Sequence, residues 1–371
     1  MKIAFITTYG VKCGIATYTE HLARGLSIEH DVTIFAEDNL GNTQPDFKTN
    51  LKLFRCFNRN SPDTRLLRAL DLYSPDVIHI QHEYGIFKNL KDVLTRIRAQ
   101  YKGRTIMTLH TVKTNHKFDL HGCADYFIVH KEHARMHLVG DCEIEHDRIK
   151  VIPHGTLIIP QISSRAARLR LGLPLDSIII LSHSFFERRK NIDKIIKVIA
   201  ELKNEFPLYY IHLGGLHPHV KPENGQLYLQ DYLKLIKELD VSSKVKLVNR
   251  FIPEEELVYF LNASDIIVTL ENSCYPNISA SGIMHTVAGK PVIASNVINF
   301  AEFPEGSFYK VKIEEDSLKQ AIRDILLNSE LSDGLLRNLL KYAKETSWDK
   351  IAEKHLKLYE RCVSTIRYVY A

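Results

Sequence analysis

The chain contains, from Asn277 to Ser295, the segment NISASGIMHTVAGKPVIAS. It begins as a loop of small residues, continues as a short helical pattern, and ends in the apolar strand Pro291–Ala294, while another apolar strand, Asp265–Leu270, precedes it. A helix that starts after a parallel strand turns its free N–H groups and its positive dipole end toward the edge of the sheet. The segment therefore predicts either a phosphate-binding helix start or a crossover helix whose small residues allow close packing.

The same alternation of apolar runs and helical patterns extends along nearly the whole chain. One series runs from the strand Ile3–Thr8 to the strand Ile149–Ile152, and a second runs from Ile178–Ser182 to Phe308–Val311. Alternation of this kind is typical of βαβ units in a parallel sheet that is buried on both faces. Proline and paired serines interrupt the pattern over 158–170, which predicts a linker between two doubly wound domains.

Length and composition restrict the class of protein. A chain of 371 residues with 45% hydrophobic and 25% charged residues suits a soluble protein of two domains. A net charge of +5 does not predict a nucleic-acid-binding surface, and the six scattered cysteines, without CxxC spacing, predict neither a zinc site nor a disulfide framework. Because the chain also has no signal-peptide pattern and no run of about twenty apolar residues, we expect a cytoplasmic protein.

One region is more basic than the rest. The stretch 88–104 combines apolar residues at helical spacing with six basic residues and one acid, Asp92. Such a helix suits peripheral contact with anionic lipid at the inner face of a membrane, or an acidic acceptor. A solvated basic face is the simpler interpretation.

Polar residues gather after the strands of the first series, where parallel sheets bind their ligands. Gly10 and Gly14 follow the first strand just before a helix, in a pattern that is not the GxGxxG of dinucleotide-binding proteins. His82 and Glu83 follow the fourth strand and His110 follows the fifth. A single histidine there is more often structural, but the group predicts a polar cluster at the mouth of a cleft.

Cations gather after the strands of the second series. Arg188, Arg189 and Lys190 crowd the loop after its first strand, just before a helix. Facing a pyrophosphate, they would offset the charge that builds on a leaving group, although a solvated basic turn remains the alternative. After the third strand, Arg250 stands beside Phe251, a pair that suits a phosphate and a flat base.

Several of these segments resemble the retaining glycosyltransferases of family 4, which have the GT-B fold, and the resemblance covers nearly the entire chain. It is carried by CGIATYT (13–19), HIQHEYGIF (79–87), TLHT (108–111), VIPHG (151–155) and NRFIPEEEL (249–257). These segments are similar to those of a bacterial surface-polysaccharide branch of mannosyl- and glucosyltransferases. The resemblance implies two Rossmann-like domains facing across a cleft: an acceptor domain, 1–158, completed by a C-terminal helix, 347–371, and a nucleotide-sugar donor domain, 159–346.

The resemblance also implies roles for individual residues. It places His110 at the donor sugar and Lys190 on the pyrophosphate, with Arg189 as the second catalytic cation and Arg188 or Arg250 as alternatives. The residues implied in donor binding are Gly14, Ser184, Arg188, Arg250, Phe251, Ile252, Glu271, Ser279, Ala280, Ser281 and Gly282. His82 and Glu83 are the candidates for contacts with the acceptor.

The chain departs from the family pattern at two places. Phe185 stands where many members have an arginine, five residues before the lysine. Pro276 and Met284 stand where the family has its pair of glutamates, and Glu271 is the nearest carboxylate. These departures leave the donor's sugar and base open.

The implied reaction moves a hexose from a UDP- or GDP-sugar, with retention, to a hydroxyl of a glycan, a lipid-linked saccharide or a small molecule. Protein cations and a helix dipole would stabilise the departing diphosphate, so we expect neither a metal ion nor a cofactor. Two alternatives stay open. One is a nucleotide-sugar epimerase of the same fold, and the other is a catalytically silent protein of this fold that binds a nucleotide or a glycan.

Overall fold

A computed structural model of the chain describes residues 1–11, 13–38, 51–58, 64–83, 91–102, 104–112, 120, 122–216, 222–272, 288–300 and 303–369. These residues form two compact units. The first takes in the described parts of Met1–Gly155 and Thr346–Ala371, and the second those of Thr156–Cys274 and Ser279–Glu345. The domain boundaries predicted from the sequence, at 158/159 and 346/347, refer to independently folding domains and stay a prediction.

The first unit is an open parallel sheet, as predicted, and it has seven strands in the described part of the chain. Their spatial order is β3-β2-β1-β4-β5-β6-β7, so the order reverses between β1 and β4. The strands are β1 (Lys2–Thr7), β2 (Asp31–Glu37), β3 (Lys52–Phe57), β4 (Val77–His82), β5 (Thr105–Leu109), β6 (Tyr126–Val129) and β7 (Ile149–Val151). The helices are α1 (Gly14–Leu26), α2 (Thr64–Tyr73), α3 (Lys91–Gln100), α4 (Glu132–Gly140) and, from the chain's far end, α11 (Trp348–Val369).

The central strands are buried on both faces, which explains their continuous apolar sequences. Because successive side chains of a strand point to opposite faces, Phe5 and Ile6 of β1 belong to different cores. Phe5 packs in the cluster that includes Leu22 of α1 and Tyr359 of α11, whereas Ile6 packs in the cluster that includes Leu94 of α3. Helices from both ends of the chain therefore cover one face of the same sheet.

The chain leaves the first unit after Gly155 and returns to it at Thr346. A Cβ placed on Gly155 would lie 2.3 Å from Cδ2 of Trp348, so the indole occupies the space that a side chain would take. The indole also stacks on the ring of His21, at 5.1 Å between centroids. The start of α11 thus packs directly on the end of the VIPHG segment, and this contact requires a glycine at 155.

The second unit is also an open parallel sheet, with six strands among the residues described. The spatial order is β10-β9-β8-β11-β12-β13, and it reverses between β8 and β11. The strands are β8 (Ile178–His183), β9 (Leu208–Leu213), β10 (Val245–Val248), β11 (Ile266–Thr269), β12 (Val292–Ser295) and β13 (Tyr309–Val311). The helices are α5 (Ser164–Leu171), α6 (Ile192–Leu202), α7 (Pro222–Glu238), α8 (Glu254–Ala263), α9 (Glu315–Leu327) and α10 (Ser329–Glu345).

The linker predicted over 158–170 is wrong in its second half, because α5 forms there and belongs to the second unit. Its first turn is capped by Ser163, whose hydroxyl accepts from the N–H of Ala166 at 3.2 Å, and Gly172 ends it in a left-handed conformation with φ of 62°. The sequence does not show the usual apolar face of a helix here, because one of the residues on the buried face is an arginine, Arg168. The helix predicted at 283–287 lies outside the described residues.

The basic stretch has no exposed apolar face in its described part. Val93, Leu94 and Ile97 of α3 are buried in the core, while Lys91 and Arg96 are exposed. The contact with anionic lipid predicted for 88–104 stays a prediction, and here it would rest on charge rather than on insertion of these side chains. In the described part of the chain, no helix is both long enough and apolar enough to span a bilayer.

Candidate active site

The candidate donor site of the second unit lies at the carboxyl ends of β8 and β11, the two strands that flank the reversal of strand order. Ligands bind at such switch points in open parallel sheets. After β8 the chain forms a 3-10 turn, Arg188–Lys190, and Asn191 adopts a left-handed φ of 51° directly before α6. After β11 comes Glu271. The two strand ends bring this carboxylate against the basic turn.

Lys190 and Arg189 share the carboxylate of Glu271. Lys190 Nζ donates to Glu271 Oε1 at 2.7 Å, and Arg189 Nη1 donates to the same oxygen. Arg189 Nε also lies 2.7 Å from Oε2 of Glu187. Lys190 and Glu271 are buried, whereas the Arg189 side chain is 46% exposed. Burial lowers the pKa of Lys190, and the neighbouring Glu271 acts in the opposite direction.

The structure does not bring Arg188 to this cluster. Its guanidinium lies 3.3 Å from Asp231 and over the ring of Tyr228, on α7. Arg250 is likewise engaged elsewhere, since its Nη1 donates to Oε2 of Glu256 at 2.7 Å in a two-pronged pair at the surface. Neither pairing was predicted from the sequence.

The remaining donor-site candidates differ in how accessible they are. Ser184 is half-buried and lines a small cavity together with Lys190. Phe251 is 39% exposed, whereas Ile252 is buried, so a contact with a flat base would fall to Phe251. Four predicted residues, Ser279, Ala280, Ser281 and Gly282, lie outside the described residues, as do Pro276 and Met284.

A buried polar network behind the basic turn was missed at the sequence level. Ser182 Oγ lies 2.6 Å from the hydroxyl of Tyr210 and 2.7 Å from Nδ1 of His212. His212 Nε2 lies 3.1 Å from the carbonyl oxygen of Ser184, and a Cβ on Gly214 would lie 1.9 Å from that oxygen. The network fixes the start of the loop that carries the cations. Its sequence signal was the presence of polar residues inside otherwise apolar strands.

In the first unit, the predicted strand-end residues are neighbours. The N–H of His110 donates to the carbonyl oxygen of His82 at 3.2 Å, and the hydroxyl of Thr111 donates to Glu83. His82 is 1% exposed, and burial lowers its pKa to about 4. Glu83 is partly exposed, so an acceptor contact by this pair would fall to Glu83.

Gly14 is exposed and begins α1, as the sequence predicted. The first turn of α1 carries no acidic residue, and its N-cap residue, Cys13, makes no side-chain cap hydrogen bond. This geometry suits an anion at the helix start. The role of Gly14 at the donor pyrophosphate stays a prediction.

A cluster of histidines surrounds Tyr18 of α1; His130 and His154 are buried, His110 is partly buried, and the members come from distant parts of the chain. The ring centroid of Tyr18 lies 4.8 Å from that of His110, 5.3 Å from that of His130 and 5.1 Å from that of His154. Burial lowers the pKa of His130 to about 3 and that of His154 to about 4, and it holds the pKa of His110 well below its ordinary value. These rings are therefore uncharged at neutral pH.

Each of the two units matches a different protein-family model. The model named Glycosyltransferase Family 4 matches residues 13–156, and the model named Glycosyl transferases group 1 matches residues 164–346. The chain belongs to glycosyltransferase family 4. This confirms the family that the sequence motifs indicated.

This family 4 glycosyltransferase also has individual relatives of known structure or curated description. It is 25% identical over 261 residues to a D-inositol 3-phosphate glycosyltransferase of Nocardioides sp., a match that covers 66% of this chain and 55% of that protein. The chain thus spans about half the length of the curated relatives it matches.

Solved structures establish the fold. Sucrose-phosphate synthase from Thermosynechococcus elongatus has a TM-score of 0.76 at 19% identity, covering 98% of this chain and 100% of that one. Anabaena HepE, in complex with UDP and glucose, has a TM-score of 0.75 at 15% identity, covering 97% and 100%. The predicted GT-B class of the family 4 glycosyltransferase, with two Rossmann-like parallel-sheet domains, is confirmed.

Proposed function

We propose that the protein moves a hexose from a UDP-sugar to a hydroxyl acceptor, with retention at the anomeric carbon. The acceptor is a glycan, a lipid-linked saccharide or a small molecule, within the bacterial surface-polysaccharide branch of the family. The observation that carries the proposal is the pairing of Lys190 and Arg189 on Glu271 at the carboxyl ends of β8 and β11. UDP is favoured over GDP because the HepE structure contains UDP.

The two cations would act on the leaving group. As the bond between the anomeric carbon and the diphosphate oxygen breaks, negative charge grows on the diphosphate, and fixed cations stabilise that charge. A lysine ammonium has three N–H donors. The bond from Lys190 to Glu271 therefore orients Nζ and leaves it able to donate to a phosphate oxygen as well. Glu271 would hold both cations in position before the donor binds.

The acceptor oxygen would attack on the face from which the diphosphate departs, which retains the configuration. A bond forms between that oxygen and the anomeric carbon, and the acceptor's proton passes to the departing diphosphate. The protein's part is to hold acceptor and donor at bonding distance and to stabilise the leaving group. The proposal includes no enzyme nucleophile, no metal ion and no cofactor.

Nucleotide binding is the first test of the proposal. We expect UDP to raise the melting temperature of the protein more than GDP or ADP does, because a ligand that binds only the folded state stabilises it by about 2.7 kcal/mol at a hundred times its dissociation constant. Incubation with UDP-glucose or another UDP-hexose together with candidate hydroxyl acceptors, followed by NMR of the products, should then show a transferred sugar. An isomerised donor would instead indicate the epimerase. Nucleotide binding without turnover of any donor would indicate the silent binding protein.

Replacing Lys190 by alanine should lower turnover by roughly 10²- to 10³-fold, because removal of one preorganised donor to a developing anion costs about 2.7 to 4 kcal/mol of barrier. Steady-state release of UDP measures the effect. Lys234→Ala is the matched control, since this lysine lies on α7 with a side chain that is 76% exposed, and it should retain wild-type turnover.

A melting curve must accompany the Lys190→Ala assay, because the variant removes one of the cations that pair with the buried Glu271. A folded Lys190→Ala protein that releases UDP at the wild-type rate would remove Lys190 from the reaction.

A further inference from the structure

A continuous row of polar side chains crosses the carboxyl ends of β4, β5, β6 and β7 and passes through His110. Gln81 Oε1 lies 2.8 Å from Nε2 of His110, whose Nδ1 lies 3.3 Å from Nε2 of His130. His130 Nδ1 in turn lies 3.0 Å from the carbonyl oxygen of Ile152. Both ring nitrogens of His110 are thus engaged inside the first unit.

The Ile152 end of the row determines where the protons are. A carbonyl oxygen only accepts hydrogen bonds, so Nδ1 of His130 carries the hydrogen. Burial lowers the pKa of His130 to about 3, so the ring is neutral at pH 7 and its Nε2 is an acceptor. The hydrogen between the two histidines therefore belongs to Nδ1 of His110.

The same step applied to His110 determines the orientation of Gln81. His110 is also neutral, so with its hydrogen on Nδ1 its Nε2 must accept. A glutamine amide presents either its oxygen or its NH₂ group after a half-turn about its last torsion. Only the NH₂ group satisfies Nε2 of His110. The amide oxygen then faces His79 Nε2, the ring nitrogen on the other side of the amide at 3.3 Å.

We propose that Gln81 is a positioning residue that donates its amide N–H to Nε2 of His110 and, together with His130, fixes that ring as the Nδ1–H tautomer. The proposal rests on the proposed function, in which His110 contacts the donor sugar. It goes further by removing His110 from proton transfer, since neither ring nitrogen is available to a substrate. His110 then contributes a fixed, uncharged ring.

The row continues on the far side of Gln81 to the C-terminal helix. His79 Nε2 lies 2.7 Å from the hydroxyl of Thr108, and His79 Nδ1 lies 2.7 Å from the hydroxyl of Tyr359 on α11. With its hydrogen on Nε2, His79 accepts at Nδ1 from Tyr359, and its single N–H lies toward both the Thr108 hydroxyl at 2.7 Å and the Gln81 amide at 3.3 Å. Gln81 and His79 are fully buried, which makes their orientation depend on these partners alone among the described residues.

The test combines histidine NMR with kinetics on the full-length protein. Protein labelled with ¹⁵N-histidine should show, for His110, a protonated Nδ1 and an unprotonated Nε2, the signal being assigned by its absence from His110→Ala. Gln81→Glu keeps the size of the side chain but replaces the amide NH₂ by an acceptor, so His110 Nε2 should gain a hydrogen. Turnover should fall roughly 10-fold or more through kcat, as expected for a misplaced group, with little change in KM for the donor. Gln81→Met, which removes both polar groups, should lower kcat similarly.

The outcomes separate this proposal from the function on which it rests. A wild-type spectrum with the His110 hydrogen on Nε2 overturns the assignment, and it does so even if the Gln81 variants do not fold. A Gln81→Glu protein with the altered tautomer but wild-type kcat overturns the positioning role, provided that His110→Ala loses transfer. If His110→Ala also transfers sugar at the wild-type rate, the place of His110 in the proposed function fails instead.

Discussion

Lowering the pH from 7 to 5 is expected to remove most of the folding stability of the first unit. Its buried side chains include His79, His82, His130, His154 and His355. Burial lowers the pKa of His130 to about 3 and of His82, His154 and His355 to about 4, and it lowers that of His79 well below its ordinary value. In the unfolded chain an imidazole titrates near pH 6.5.

The sign of the effect follows from which state binds more protons. Between pH 6.5 and about 4, these histidines bind protons in the unfolded chain but not in the folded unit, so the folding stability falls as the pH falls. Above pH 6.5 this contribution is fully present. Each histidine should cost about 1.4 kcal/mol per pH unit below 6.5, so the four with a pKa of about 3 or 4 together cost about 8 kcal/mol at pH 5, and His79 acts in the same direction. That is comparable to the whole stability of an ordinary domain, about 5 to 15 kcal/mol.

The chain has one tryptophan, and it reports on this cluster. Trp348 lies 5.1 Å from the ring of Tyr18 and 5.5 Å from that of His154, centroid to centroid. Urea unfolding followed by tryptophan fluorescence at pH 7.5, 6.5, 6.0 and 5.5 therefore measures the stability of the first unit. The free energy of unfolding should fall ever more steeply below pH 6.5.

Two variants test the cause. His355→Gln removes one titrating ring while keeping polar atoms near Tyr18 and the Ile351 carbonyl, and it should reduce the slope by about 1.4 kcal/mol per pH unit. His146→Gln removes an exposed histidine of the same unit and should leave the slope unchanged. An unfolding free energy that stays constant from pH 7.5 to 5.5 would contradict the prediction.

The order and type of the elements could be predicted because each strand coincides with a separate apolar run in the sequence. Thr105–Leu109 and Tyr126–Val129 agree with the structure at both ends. Where the prediction differs, a local pattern was concealed. Helix α7 begins at Pro222 rather than Leu227, because its first turn holds a proline, which suits the first turn of a helix, followed by polar residues that show no apolar periodicity.

The site was predictable only as far as strand ends determine position. That rule placed Lys190 and His110 correctly at the carboxyl ends of strands in the two sheets. It could not show that Arg188 pairs with Asp231 and Arg250 with Glu256. The partner of an arginine is the carboxylate that the folded chain brings close to it, and strand ends do not determine that distance. The strand-end rule could not predict the histidine cluster around Tyr18 for the same reason. His79 and its partner Tyr359 lie 280 positions apart, a separation at which no sequence periodicity operates.

Replacing Arg168 by methionine should destabilise the second unit by about 2 to 4 kcal/mol, because this buried guanidinium is the donor to several oxygens, each of which costs about 1 to 3 kcal/mol if it stays buried without a partner. Its guanidinium holds four groups together. Nε donates to the Ala263 carbonyl at 2.9 Å, Nη1 donates to the carbonyls of Leu175 and Ser177 at 2.9 and 3.0 Å, and Nη2 lies 2.6 Å from Asp265 Oδ2. Methionine has a similar length but leaves these acceptors without their donor.

Urea unfolding followed by circular dichroism measures this loss, and two further variants define its source. Arg165→Met removes an exposed arginine from the same helix and should change stability by no more than about 0.5 kcal/mol. Arg168→Lys keeps the charge but has one nitrogen for four acceptors, so it should lose a large part of the same free energy.

A double-mutant cycle separates the ion pair from the carbonyl contacts. Asp265 Oδ2 also accepts from the N–H of Ile179 at 2.6 Å, so Asp265→Asn keeps an acceptor there while removing the charge. If the charge of Asp265 dominates, adding Asp265→Asn to Arg168→Met should recover part of the loss, because no carboxylate is left without its arginine, although solvent screens this side chain, which is 36% exposed. If the three carbonyl oxygens dominate, the two losses should add, since their donor is absent in both backgrounds. A stability of Arg168→Met equal to that of Arg165→Met would show that the guanidinium does not hold α5 to the sheet.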